Sequence, residues 1–338
     1  MGLSFTGPVT RVVPVEETTQ VGQVRREALA LAAQAGFDAL DAGRVGLAAT
    51  ELATNVLRHG RGGRVLLSLV QGSAGVGVEL CAVDRGPGFS LAHCLPDGYS
   101  TAGSQGQGLG AIQRQCTVLD AWSDAAGAVV LARIFAAGAG NGDLAYGAMR
   151  IPMRHEVVCG DGWTIRWDDT RCVVALIDGL GHGPQAGEAA MLGLSAVEDA
   201  EGPGADAYLA RMHARMSRTR GGAAAVCCIE SDSRQAAFAG AGNVGATLVT
   251  GAAARQLPSH PGIVGANYRP APPVRFEARP GSLLLMHSDG LQSRWDLARY
   301  DGLVHRHPAL VVAVLHRDFD RGRDDTGIVA LRLEAGND

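Results

Sequence analysis

The chain has 338 residues, 46% of them hydrophobic and 19% charged, with a formal net charge of −4. At ~100–200 residues per domain that length predicts two domains, with ample apolar material for packed cores and too much for disorder. No strongly basic block exists, which argues against nucleic acid as a main partner. All 30 basic side chains are arginine, so a P-loop or a eukaryotic-type protein kinase, each of which sets a lysine on the phosphates, is excluded.

The seven cysteines (Cys81, Cys94, Cys116, Cys159, Cys172, Cys227, Cys228) contain no C-x-x-C pair, the pattern of buried thiols in a reducing cytosol. The N-terminus shows no basic-then-apolar leader, and its loose myristoylation match, MGLSFT, reads as coincidence. Residues 235–254 are uncharged, yet four glycines, Asn243 and Gln235 argue against a membrane span. A cytoplasmic protein without membrane contact is expected.

In chain order, an extended RVVPV precedes an apolar-periodic helix over 17–35 and a second from about Asp41 to Arg58, with Asp41 as N-cap. RVLLSLV and VGVELCAV read as strands, Asp84 to Gly110 as a glycine-rich loop, about Leu109 to Leu119 as a helix, and AVVLARIF as a closing strand. AAGAGNGD (136–143) is the best linker. Beyond it, RCVVALI, AAAVCCIE, ATLVTG, SLLLMHS and TGIVALRL read as strands, with helices near 184–199 and 204–217, a rhythm of stacked antiparallel sheets flanked by helices.

In ATELATNVLRHG, Glu51 and Asn55 stand four residues apart and so share a helix face beside Leu52, Val56 and Leu57. An isolated E-x-x-x-N is ordinarily a solvated face. Downstream, however, VDRGPGF ends a strand at Asp84 before Gly86 and Gly88, and GSQGQGLGA sets Gly103, Gly106, Gly108 and Gly110 before a helix. An acid at a strand end can accept from the adenine amino group, while glycines let backbone close over phosphates that a helix N-terminus attracts.

This set resembles the GHKL ATPase fold, and within it the anti-sigma serine kinases of the RsbT/RsbW group, over about residues 10–136. The resemblance implies that Asn55 holds Mg²⁺ on ATP and that Glu51 is the general base toward a substrate serine. It also implies that Asp84 binds adenine, and that Gly86, Gly88, Gly106, Gly108 and Gly110 shape pocket and lid. Partial desolvation beside leucine and valine strengthens a carboxylate base. One departure is Gly127-Ala128, where the family has Gly-Thr supporting the adenine contact. It keeps open a domain that binds ATP without transferring phosphate.

The second half places aspartates at strand ends: Asp161 in VVCGDGW, Asp178 in VVALIDGLGHG, Asp289 in LLLMHSDGL, and Asp324 and Asp325 in GRDDTGIVAL. Each alone reads as a turn. Together, without zinc-like spacing, they point to hard cations such as Mg²⁺ or Mn²⁺ that can activate water against a phosphate. A dinucleotide fingerprint at IDGLGHG is disfavoured, because Asp178 would repel a pyrophosphate and no second acid-ended strand follows.

With TRGGAA, AGAGNV and PGIVG, these motifs resemble the metal-dependent type 2C (PPM) protein phosphatases of the SpoIIE/RsbX branch, over about 144–336. The resemblance implies two Mn²⁺ or Mg²⁺ ions held by Asp161, Asp178, the Gly179 carbonyl, Asp289 and Asp324 or Asp325. It leaves His182 either protonating the leaving serine oxygen or structural. Arg211, Arg215 and Arg218 fall on one predicted helical face, to receive a phosphoserine or simply to face solvent.

The expected fold is α+β: an N-terminal GHKL (Bergerat) α/β sandwich over 1–137, a linker at 138–143, and a PPM-type α-β-β-α sandwich over 144–338. The implied function is a bifunctional partner-switching regulator that phosphorylates and dephosphorylates serine on a STAS-domain antagonist protein. A homodimer and a downstream phosphatase or sigma-factor regulator are the further partners it admits.

Overall fold

A computed structural model describes residues 2–89, 108–138, 142–198, 204–231 and 233–333. The chain forms two compact units, one made of Thr10–Ala145 with Arg299–Arg317, the other of Met1–Val9, Tyr146–Ala298 and Asp318–Asp338.

The first unit is a five-stranded antiparallel sheet, ordered β2 (Arg11–Val15), β3 (Gly63–Gly72), β4 (Gly75–Asp84), β6 (Gly127–Ile134), β5 (Val118–Asp124). Its helices are α1 (Thr18–Gln34), α2 (Ala39–Arg58) and α3 (Gly108–Gln115). Alternation along the strands sends Val65, Leu67, Val78, Leu80, Val130 and Ala132 to one face. There they pack with Val24, Ala28, Val45, Ala49, Leu52 and Val56 of the helices.

Helix α2 starts two residues earlier than expected, because Asp38 and not Asp41 is its N-cap: the Asp38 carboxylate accepts from the Asp41 amide at 2.8 Å. Asp41 instead pairs with Arg44 at 2.7 Å and accepts from the Ala137 amide. The expected helix over 109–119 stops at Gln115, and Val118–Asp124 is strand β5, a hairpin partner of β6. Trp122 there needs its long-range partner: its indole N–H donates to the Asp301 carbonyl and its ring meets Tyr300.

The opposite sheet face carries Arg133, fully buried, bridging Glu79 at 2.7 Å and Asp143 at 2.8 Å. His307 closes this network on Asp143 at 3.1 Å. Beside it lies α6 (Pro308–Phe319), apolar all round from Pro308 to Leu315 and buried from Pro308 to Arg317, as a stretch without a polar face must be.

The second unit stacks two antiparallel sheets. One runs β1 (Leu3–Thr6), β8 (Asp161–Trp167), β9 (Arg171–Gly179), β10 (Gly222–Glu230), β11 (Gln235–Ala241), β14 (Val274–Glu277). The other runs β13 (Ala253–Gln256), β12 (Gly245–Thr250), β15 (Leu283–His287), β16 (Thr326–Arg332), β7 (Tyr146–Ile151). Helices α4 (Pro184–Glu198) and α5 (Ala205–Met216) cover the first sheet through Ala189, Ala190, Leu194, Leu209 and Met212.

The boundaries drawn at 137 and 144 are crossed twice. Residues 3–6 pair with β8 in the second unit, where Thr6 hydrogen-bonds Thr164 and Glu198. Residues 299–317 belong to the first unit, held by Asp120, Trp122 and Asp143. Edge-strand addition and burial of an apolar helix are long-range gains that local composition does not register.

Candidate active sites

In the first unit, Glu51 and Asn55 are both half-buried on α2, one turn apart on the same face as their spacing requires. Asp84 ends β4 and turns into Gly86. Its Oδ1 accepts from the Gly86 amide at 2.8 Å and from the Ala128 amide at 3.3 Å. Burial pushes its carboxyl above the usual range, against the pull of those two amides.

The surroundings hold Asp84 tightly. A Cβ on Gly60 would lie 2.5 Å from the Asp84 Cβ, and Gly127, at φ +142°, presses directly on the Asp84 carbonyl. Gly88 (φ +74°) lies against the Asp124 carbonyl. The arrangement is a narrow acceptor set among small residues, suited to one edge of a flat ring. Gly108 and Gly110 begin α3, whereas Gly106, with Gly103, lies outside the described residues. Ala128 offers only its backbone amide to Asp84, so the hydroxyl expected at this position of the family is absent.

In the second unit, β8 and β9 place Asp161 and Asp178 as direct cross-strand partners. Two carboxylates so placed repel, which normally destabilises a sheet. Asp161 is buried, and its Oδ2 has no hydrogen-bond partner. Burial, followed by the charge of Asp178, holds its carboxyl far above the ordinary range, against a hydrogen bond from Ser288. Burial, then the charges of Asp289 and Asp324, push Asp178 up to about 7. Burial raises Asp324 too, with Asp289 and Asp325 adding to it. Asp289 accepts from the Asn243 amide group at 2.7 Å, which gives the AGAGNV motif a role in the site.

Among the described residues no three acidic, histidine or cysteine side chains are already drawn in around a single point. What they share is uncompensated negative charge. A buried carboxylate oxygen without a donor fits a cation, and Gly327 leaves room beside it: a Cβ there would stand 3.2 Å from Asp161 Oδ2. The buried Gly179 ends β9 with its amide on the Gly160 carbonyl.

Asp325 is different. Its Oδ1 accepts from the Met153 amide at 2.7 Å and its Oδ2 from the Gly160 amide at 2.8 Å. Both oxygens are thereby spent on backbone, whereas the exposed Asp324 accepts from the Asp325 amide through Oδ1, at 2.9 Å, and keeps its Oδ2 side open to a cation.

His182 stands just before α4 with its Nδ1 2.8 Å from Glu156 Oε1, a partner that no motif announced. The expected arginine row does not form. Arg211 lies over the Tyr208 ring, Arg215 donates to Ser195 at 2.7 Å, and Arg218 lies beyond the end of α5. All six cysteines among the described residues are free thiols, four of them buried. Among the described residues no helix is long and apolar enough to cross a membrane.

The fold pairs an α/β sandwich that carries Asp84 with a carboxylate-lined double sheet, and comparison with known proteins bears on both. Residues 14–134 match the histidine kinase-like ATPase domain model, and residues 168–334 match the stage II sporulation protein E model. The chain therefore carries an RsbT-like ATPase domain followed by a SpoIIE-type PP2C phosphatase domain, on the expected α+β fold.

The serine/threonine-protein kinase RsbT of Bacillus subtilis (strain 168) is 32% identical over 85 residues, covering 25% of this chain and 64% of that protein. The phosphoserine phosphatase RsbX of the same organism is 27% identical over 139 residues, covering 40% of this chain and 68% of that protein. The chain thus spans just under two thirds of the kinase it matches. A solved chain described under the bacterial stressosome, a modular system adapted to control secondary messenger signaling, superposes with a TM-score of 0.51 at 26% identity. It covers 56% of this chain and 98% of that one.

Proposed function

We propose that this protein is an opposed pair of enzymes on one chain, an ATP-dependent serine kinase and a divalent-cation-dependent phosphoserine phosphatase. The two activities act on the same STAS-domain antagonist protein within a partner-switching module. The observation that carries the phosphatase half is the cross-strand pair Asp161–Asp178 with its buried, unpartnered oxygen. At neutral pH such a cluster calls for cations, or failing them protons, to neutralise it. Kinship with a serine kinase in one half and a phosphoserine phosphatase in the other supports opposed chemistry.

In the phosphatase half, Asp161, Asp178, the Gly179 carbonyl, Asp289 and Asp324 would hold Mn²⁺ or Mg²⁺. When bound, these ions supply the positive charge that polarises the phosphoryl group and acidifies an attacking water. Asp325 keeps the loop before β8 tied to β16, and Asn243 orients Asp289. His182 gives a proton to the leaving serine oxygen.

In the kinase half, Asp84 accepts from the adenine amino group, and Asn55 orients the Mg²⁺ of ATP. Glu51 takes the proton of the substrate seryl hydroxyl as it attacks the γ-phosphorus. A second reading, favoured by Ala128 in place of the family threonine, is that this half binds ATP without transferring phosphate.

The deciding assay uses a STAS protein, labelled ATP and Mg²⁺, comparing the intact chain with Asp178→Asn. Phosphoserine that accumulates only with the variant supports two activities on one substrate. No phosphoserine with either, while pre-phosphorylated substrate is still cleared with Mn²⁺, assigns the first half to nucleotide sensing.

A further inference from the structure

The loop 153–160 is hung at both ends on one side chain, since Asp325 accepts from the Met153 and Gly160 amides. Glu156 sits between these two anchors, its amide on the Met153 carbonyl at 3.0 Å, next to His155 in the left-handed region at φ +73°. From there its carboxylate reaches His182 Nδ1 at 2.8 Å. The approach passes over Gly183 (φ +75°), where a Cβ would stand 3.1 Å from Glu156 Oε2. The sequence and backbone thus make room for this one contact.

The pair is not a stability device. The His182 side chain is 53% exposed and that of Glu156 27%, and exposed ion pairs contribute little. What the contact does fix is the ring: Nδ1–H donates to Glu156, so Nε2 is left for chemistry.

We propose that Glu156 is the positioning residue that makes His182 a proton donor to the leaving seryl oxygen, an inference that rests on the phosphatase reading above. In the step, the phosphorus–seryl oxygen bond breaks as water oxygen bonds to phosphorus. The imidazolium Nε2 proton passes to the seryl oxygen, and the proton released by the attacking water recharges the imidazole through solvent. Serine and inorganic phosphate leave, and no oxidant or reductant is involved.

The test separates proton donation from mere folding by leaving group. Full-length protein saturated with Mn²⁺ is assayed on a phosphoserine peptide, whose alkoxide must be protonated, and on p-nitrophenyl phosphate, whose phenolate leaves unaided. On the peptide, H182N should lose about 100-fold and E156Q about 10-fold, with at most about 3-fold on p-nitrophenyl phosphate. The double variant should be no slower than H182N alone. Glu156→Ala must show the same selectivity as Glu156→Gln. Equal losses on both substrates at an unchanged melting temperature, or a Glu156 variant indistinguishable from wild type on the peptide, overturns the proposal. Wild-type protein that cleaves neither substrate removes the phosphatase reading itself, and this inference with it.

Discussion

In the first unit one aspartate, Asp84, stands alone among glycines with two backbone amides on a single oxygen. In the second, aspartates from different strand ends are gathered so that burial, and then their neighbours' charges, lift Asp161, Asp178 and Asp324 above the ordinary carboxylate range. The same residue type therefore sits in two electrostatic settings, which the function proposed above gives to two ligand classes. An isolated acceptor in a tight, partly buried niche suits a neutral donor edge, and its charge is eased there by two backbone amides and by the nearby Arg317 and His59. A cluster is tolerated only while protonated and, once ionised, is a standing demand for cations. The units differ likewise in what they borrow, an edge strand in one case and a buried helix in the other.

The largest effect expected comes from cutting the chain within 138–143. A fragment 1–137 lacks Asp143, His307 and α6, which leaves Arg133 and the apolar sheet face beside it without cover. A fragment 144–338 lacks β1 and carries α6 without its sheet. Neither should give soluble, cooperatively melting protein, as gel filtration and calorimetry would reveal. Two well-behaved fragments would mean that the exchanged segments are dispensable.

Next, Asp178→Asn should lower phosphatase turnover about a thousandfold while leaving ATP affinity alone, measured by phosphate release and by nucleotide titration. Arg133→Met follows: it strands the buried Glu79 carboxylate and leaves the half-buried Asp143 with His307, and should cost about 3–5 kcal/mol of stability in denaturant melts. Asp84→Asn turns an acceptor partly into a donor and should weaken ATP about 10–100-fold, with phosphatase rate unchanged.

The smallest effect is a pH signature. Asp178 ionises near pH 7 in the folded chain but near 3.8 unfolded. Its folded value is raised, so metal-free protein is favoured below pH 4 and loses stability as pH climbs from about 4 through 7. Metal should cancel that loss, so the rise in Tm on adding Mn²⁺ should be larger at pH 8 than at pH 5. An increment independent of pH would disconnect the carboxylate cluster from the metal.

Much of this was legible in the residue order. Alternation and helical periodicity are local signals, so β3, β4, β9, β10, β15, β16, α1 and α2 were readable within a few residues. Glu51 and Asn55 share a face by arithmetic, and acids at strand ends followed by glycine advertise ligand sites before any fold is known. Asp38 was missed as the cap because Asp41 is an equally good capping type; only the backbone decides which of them is extended.

What the sequence by itself determined is which residues are able to do chemistry and on what kind of element each lies, because those follow from neighbours along the chain. Tertiary structure alone decided that Asp161 faces Asp178 across a ladder, that Asp325 spends both oxygens on backbone and leaves Asp324 available, and that Glu156 meets His182. It alone sent residues 3–6 to β8 and 299–317 to the other unit. Each of these depends on groups far apart in sequence being brought within hydrogen-bonding range, an outcome of strand register and burial that no local pattern encodes.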